Sequence, residues 1–81
     1  MTEQNEILTI LMEECAEVTQ EASKLIRFDD TDPDRIEKEI GDLLCLVEIM
    51  VQKRIIDGSV LESHMNAKRD KLKTWSEIDL H

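Results

Sequence analysis

The chain contains no tyrosine, one Phe and one Trp among 81 residues. Aromatic stacking therefore cannot build its core, which falls to Leu, Ile, Val, Met and Ala, a set suited to helices packed on helices. Two Gly and one Pro are too little punctuation for the many turns of an all-β fold. Cysteine is equally scarce. Cys15 and Cys45 lack Cys-x-x-Cys spacing and fall in expected helices, where they read as small packing residues of a reducing compartment rather than as a disulfide. Positive charge is short as well: 10 Lys and Arg face 19 Asp and Glu, a formal net charge of −9. Such a balance excludes a nucleic-acid groove. It leaves a single nucleotide open, because a metal ion can invert the local sign. No apolar run approaches a membrane span and no charged-then-apolar leader opens the chain, so the expected location is the cytoplasm.

What is present is helical periodicity in one domain, residues 1–81, with no internal repeat, low-complexity tract or linker. Leu8, Leu11, Cys15, Val18, Ala22 and Leu25 recur at alternating spacings of three and four, which predicts a helix from about residue 3 to about 27. "FDDTDPD" (28–34) breaks it. Thr31 or Asp32 is a candidate cap for the next helix, with Pro33 suited to its first position. Ile36, Ile40, Leu43, Val47, Met50 and Val51 line that second helix, expected to end near Arg54 or Ile55. After "IDGS", Ser59 and Glu62 have the spacing of a capping box that opens a third helix, reaching about Trp75 or Glu77. Its apolar stripe, Leu61, Met65, Leu72 and Trp75, is thinner. "SEIDLH" reads as a frayed tail.

The expected fold is all-α: an antiparallel hairpin of the first two helices plus a third helix. Ile7, Ile10, Leu46 and Ile49 widen the apolar surface beyond what one partner helix covers. Two hairpins could share that surface as a four-helix-bundle-type homo-oligomer.

Acids crowd the edge of this apolar surface. With about 100° per residue, Glu14 lies about 70° from the centre of the first helix's stripe, and Glu17 and Glu21 follow on the same flank. Glu13 and Glu6 point closer to solvent. On the second helix Glu39 falls between Leu43 and Leu46, with Asp42 just beyond. Glu14 with Glu17, and Glu39 with Asp42, are i,i+3 pairs that a hairpin can bring face to face. Two readings follow from spacing alone. Either these are ordinary solvated helix flanks, or the carboxylates hold a divalent cation such as Mg²⁺, which takes oxygen ligands and bridges carboxylates to phosphates.

"EECAE" (13–17) followed by "EIGD" (39–42) resembles the Glu-Glu-x-x-Glu … Glu-x-x-Asp signature of the MazG-type, all-α nucleoside triphosphate pyrophosphohydrolases. The interval between the motifs, the apolar "LLCLVEIM" (43–50) after them and the ending "AKRDKLKTW" (67–75) are also similar to that family. The resemblance covers nearly the whole chain. It implies a Mg²⁺-dependent hydrolysis (Mn²⁺ as a substitute) between the α- and β-phosphates of a nucleoside triphosphate, giving a monophosphate and pyrophosphate. By motif match, Glu14, Glu17, Glu39 and Asp42 would be the metal ligands, and Glu13 would orient a ligand or water from behind them.

Basic residues should then face the leaving pyrophosphate. Lys68 falls on the third helix's apolar stripe, where it either snorkels to water or, with Lys71, contacts phosphates. Asn66 and Arg69 match a related Asn-x-x-Arg variant, and Trp75 is read as a packing residue. The chain is shorter than most members and poor in aromatics for base recognition, so residues of a second subunit, in a homodimer or homotetramer, are expected to complete the site. The competing class is a non-catalytic helical adaptor whose acids only keep it soluble. A di-iron bundle is set aside, because neither His64 nor His81 follows a Glu by three residues.

Overall fold

The computed structural model describes residues 1–80; His81 lies outside the described residues. Three helices follow one another, α1 (Glu3–Arg27), α2 (Asp34–Gln52) and α3 (Gly58–Trp75). The Thr2 side chain starts α1 by accepting from the Asn5 amide at 3.1 Å. Acids in the first turn and Lys24 and Arg27 in the last complement the helix dipole. Two short aspartate turns lead into α2: Asp30 accepts from the Asp32 amide and Asp32 from the Asp34 amide, each at 3.0 Å. Asp32, not Thr31, thus supplies the acceptor at this helix start, and Pro33 sits just ahead of the first helical residue with α-helical torsions.

α1 and α2 stop in the same way. The Asp29 amide donates to Ile26 O and the Asp30 amide to Leu25 O, with Asp29 at φ 49°. In α2 the Arg54 amide donates to Val51 O and the Ile55 amide to Met50 O, with Arg54 at φ 60°. Both are Schellman closures, in which a left-handed residue turns the chain back onto the last free carbonyls. Neither uses the glycine that would announce the stop in the sequence, and α2 therefore ends at Gln52 rather than near Arg54 or Ile55. The start of α3 also differs from expectation. Asp57 caps it, accepting from the Ser59 and Val60 amides at 2.8 and 3.2 Å and from the Ser59 hydroxyl at 2.6 Å. Ser59 lies inside the helix as a donor to the cap, so the Ser59–Glu62 capping box does not form. The Ser59 hydroxyl, then the Val60 and Ser59 amides, hold the Asp57 carboxyl below its ordinary value.

α1 and α2 pack as the expected hairpin, and Lys53 pairs with Glu3 at 3.0 Å where the end of α2 meets the start of α1. The packed face contains most of the anticipated one, with Leu8, Ala22, Val47 and Val51 half-buried as expected, and is widened on one flank. On α1, Ile7, Leu11, Glu14, Val18, Glu21 and Leu25 are buried or half-buried at alternating spacings of four and three. On α2 the same pattern picks out Ile36, Glu39, Leu43, Leu46 and Met50. Cys15 and Cys45 are free and exposed instead of packed, and Ile40 is also exposed. Among the described residues only Ile7 and Met50 are buried, each still slightly exposed.

Apolar side chains are left over on the outside. Met12, Ile26, Leu44, Val60, Met65 and Trp75 are all more than half exposed. α3, expected to lay a thin stripe on the bundle, packs extensively against neither helix. The accessible surface of 6663 Å² exceeds by roughly 1,600 Å² the value of about 5,000 Å² usual for a folded monomer of this mass. The radius of gyration, 15.1 Å, likewise exceeds the roughly 12 Å of a compact domain this long. No helix among the described residues is long and apolar enough to cross a membrane.

Because Arg54 holds a left-handed torsion that favours glycine, Arg54→Gly should stabilise the fold. The released strain, about 1–2 kcal/mol, is partly offset by glycine's extra freedom in the unfolded chain, leaving a net gain of about 1 kcal/mol or less. Denaturant unfolding should show a higher midpoint at unchanged slope.

Candidate metal centre

The hairpin seam places carboxylates where a pure helix pair would carry leucines. Glu14 stands one turn after Leu11 and one turn before Val18. Glu39 takes the equivalent place on α2, between Ile36 and Leu43. Asp42, i+3 from Glu39, projects from the same side. One oxygen each of Glu14, Glu39 and Asp42 lies within 4.8 Å of the other two. The remaining atoms decide whether this is crowding or a site. Glu14 Oε2 and Glu39 Oε2 are both buried with no hydrogen-bond partner, although an unpaired carboxylate oxygen out of water is costly.

Glu17 joins from the exposed edge. Its carboxyl lies close enough to Glu39 to share a proton with it. That hydrogen bond first, then the negative charges of Glu39 and Glu14, push its pKa up from the ordinary 4.5, with Lys38 opposing. The next acid along the seam behaves differently: Glu21, also half-buried, is neutralised by Lys24 at 3.3 Å. Glu14 has no such neighbour.

Lys38 is the cation nearest the cluster. Its Nζ lies 3.0 Å from Asp42 Oδ2 and 3.6 Å from Glu39 Oε1. The hydrogen bond and charge of Asp42, followed by the charge of Glu39, raise its pKa above 10.5. Sequence reasoning passed it over. Its i,i+4 spacing to Asp42 and its place beside Glu39 are the signals that would have found it.

The structure therefore brings together Glu14, Glu39 and Asp42, with Glu17 against Glu39. Glu13 is exposed and stands outside the converging trio. Asn66, Lys68 and Arg69 line a 440 Å³ open groove on α3 with His64, Met65, Leu72 and Leu80, a groove that includes none of the cluster's residues. Lys68 is exposed and rests its ammonium 5.0 Å from the centre of the exposed Trp75 ring, a cation–π contact. Lys71 is exposed on the same helix. Within one chain these basic side chains and the acids belong to separate surfaces.

The donor set fits a hard divalent cation such as Mg²⁺ or Mn²⁺. All donors are carboxylate oxygens, they converge from two helices, and two of the buried oxygens lack any other partner. Comparison with known families agrees with this geometry: residues 2–74 match the model described as the MazG nucleotide pyrophosphohydrolase domain. Comparison with curated proteins and with solved structures gives no match.

The raised pKa of Glu17 has a definite sign. Between the ordinary carboxyl value and the raised one, the folded chain holds more protons than the unfolded chain, so metal-free stability falls as pH rises through that window. In the presence of a chelator, Glu17→Gln should raise the melting temperature at about pH 7 and have little effect at about pH 3, where the carboxyls are protonated in both states. Circular-dichroism melts at the two pH values check this.

Proposed function

The chain belongs to the MazG nucleotide pyrophosphohydrolase family, and from that premise we propose that it hydrolyses a nucleoside triphosphate between the α- and β-phosphates, releasing a monophosphate and pyrophosphate with Mg²⁺ or Mn²⁺ as cofactor. The observation that carries this reading is the convergence of Glu14, Glu39 and Asp42, three positions of the acidic motifs, with two buried oxygens unpartnered. Glu14, Glu17, Glu39 and Asp42 hold the cation. When bound there, a divalent ion supplies positive charge that offsets the phosphate oxygens and makes an attacking water more acidic. The protein residues set the geometry. α1 and α2 fix Glu14 and Glu39 from opposite sides of a packed seam, so the donors do not have to be gathered on binding. Glu17 adds its carboxylate from the exposed edge, beside Glu39. Glu13 orients the attacking water from outside the trio.

Phosphate recognition falls to α3, where Lys68, Lys71, Asn66 and Arg69 supply donors to the triphosphate. They stand apart from the carboxylates of their own chain, which favours delivery across a subunit interface. We propose a homodimer or homotetramer, built by pairing hairpins through the apolar surface each leaves outside. The surplus surface of roughly 1,600 Å² compares with about 800 Å² per partner in an ordinary stable interface. Light scattering at micromolar protein should give at least twice the 9.4 kDa chain mass. A helical monomer would remove this part of the reading.

The reaction is tested with a panel of nucleoside triphosphates and Mg²⁺, assayed for pyrophosphate. In ¹⁸O-water the label should appear in the monophosphate. Asp42→Asn keeps the volume and removes the charge, and it should lower turnover by about two orders of magnitude or more while retaining helicity, since a displaced cation misplaces the reacting groups. Parental turnover in that variant would place the chemistry elsewhere.

A further inference from the structure

Lys38 is bound to two of the carboxylates that the proposed cation would need. Its ammonium lies 3.0 Å from Asp42 Oδ2 and 3.6 Å from Glu39 Oε1, and its side chain remains 69% exposed. An exposed i,i+4 pair contributes little to helix stability, and the order here, base before acid, is the weaker one. The helix therefore gains little from this contact. The site gains more, because a single positive charge sits against carboxylates that converge within 4.8 Å of one another.

We propose that Lys38 is a tethered counter-ion that holds the mouth of the carboxylate cluster in the metal-free protein and is displaced from Asp42 when a divalent cation enters, so that it sets the affinity of the site. The proposal rests on the metal reading above and adds a competitor to it. The geometry explains how both demands are met. The buried Glu14 Oε2 and Glu39 Oε2, unpartnered, remain available for an incoming ion. Asp42, the most exposed partner at 44%, is the one Lys38 grips most closely. Displacement is easy because Lys38 has a flexible four-carbon stem and water beside it. The released ammonium stays within reach of the site, where an anionic phosphate group would find it.

A lysine that competes with the cation has an effect opposite to that of one that merely props up Asp42. Removing a competitor strengthens metal binding, whereas removing a prop weakens it. Isothermal titration with Mn²⁺ alone, without nucleotide, separates the two. Lys38→Gln should bind Mn²⁺ roughly threefold to twentyfold more tightly than the parent, the size expected for relieving repulsion between a unit charge and a dication about 5 Å apart in a water-like surrounding. Lys38→Arg, which keeps the charge, should stay near the parent. Metal-free Lys38→Gln should melt at a lower temperature than the parent, and Mn²⁺ should raise its melting temperature by more. Equal or weaker Mn²⁺ binding by Lys38→Gln, with the parent binding normally, would overturn the role of Lys38 and leave the metal site standing. Absence of Mn²⁺ binding in both parent and variant would overturn the metal site and the role of Lys38 together.

Discussion

Carboxylates built into the seam of a helical hairpin are the constraint on which the rest of this structure turns. A pair of helices this long would ordinarily close on an unbroken row of apolar residues. Here the row is interrupted by Glu14 and Glu21 on α1 and by Glu39 on α2, and most of the apolar residues around them are half-buried, with only Ile7 and Met50 buried. Close packing is concentrated at the end of the hairpin away from its turn, where Lys53 also reaches Glu3. The middle is left to whatever balances its charge. On the proposed metal reading, stability and cation binding would depend on the same positions, because an ion that binds the folded chain and not the unfolded one stabilises the fold by linkage.

The acids of this seam are not equivalent, and the differences follow their partners. Glu21 has Lys24 and behaves as an ordinary ion-paired flank. Asp42 has Lys38, loosely and at the surface. Glu39 is reached by Lys38 through one oxygen while the other has no partner, and Glu14 also keeps a buried oxygen unmatched. Compensation thins out toward the point where the two helices bring their carboxylates together. An acidic helix evolved only for solubility would show no such gradient, since solvated carboxylates satisfy one another's surroundings with water.

Much of this was legible in the residues. The bounds of α1, the hairpin, the all-α class and the approach of Glu14 to Glu39 and Asp42 follow from spacing, because apolar periodicity is read directly from order along the chain. What escaped has identifiable causes. The ends of α1 and α2 carry Asp29 and Arg54 in left-handed torsions, and neither residue type signals a stop as glycine does. Asp57 and Ser59 are both good caps, and only the backbone path decides that Asp57 accepts while Ser59 donates. The apolar stripes pack largely where their spacing puts them, but the face widens toward Glu14 and Glu39 and leaves Cys15 and Ile40 outside. Hydrophobicity alone does not say how far toward the flanking acids a packed face extends. Lys38 is legible only in relation to Asp42 one helical turn on, since nothing in its own type or exposure marks it.

The placement of α3 is of another kind, since no local rule governs it. Its Leu61 and Leu72 are half-buried while Met65 and Trp75 face water, and the helix leaves the hairpin instead of closing over it. The apolar stripe expected of it is real, but a single chain offers that stripe no surface large enough to repay ordering it. On the proposed association the same event answers two separate deficits. Pairing hairpins would offer cover to exposed side chains such as Met12, Ile26 and Leu44, and would give α3 a neighbour that its own chain does not provide. It also allows Lys68, Lys71 and Arg69 to lie across from a carboxylate cluster, where a triphosphate spanning the gap would meet donors at one end and a cation at the other. The strongly acidic chain would otherwise repel its substrate. With four basic side chains on α3 and the carboxylates on the other two helices, that arrangement would let opposite charges face one cavity without neutralising each other first.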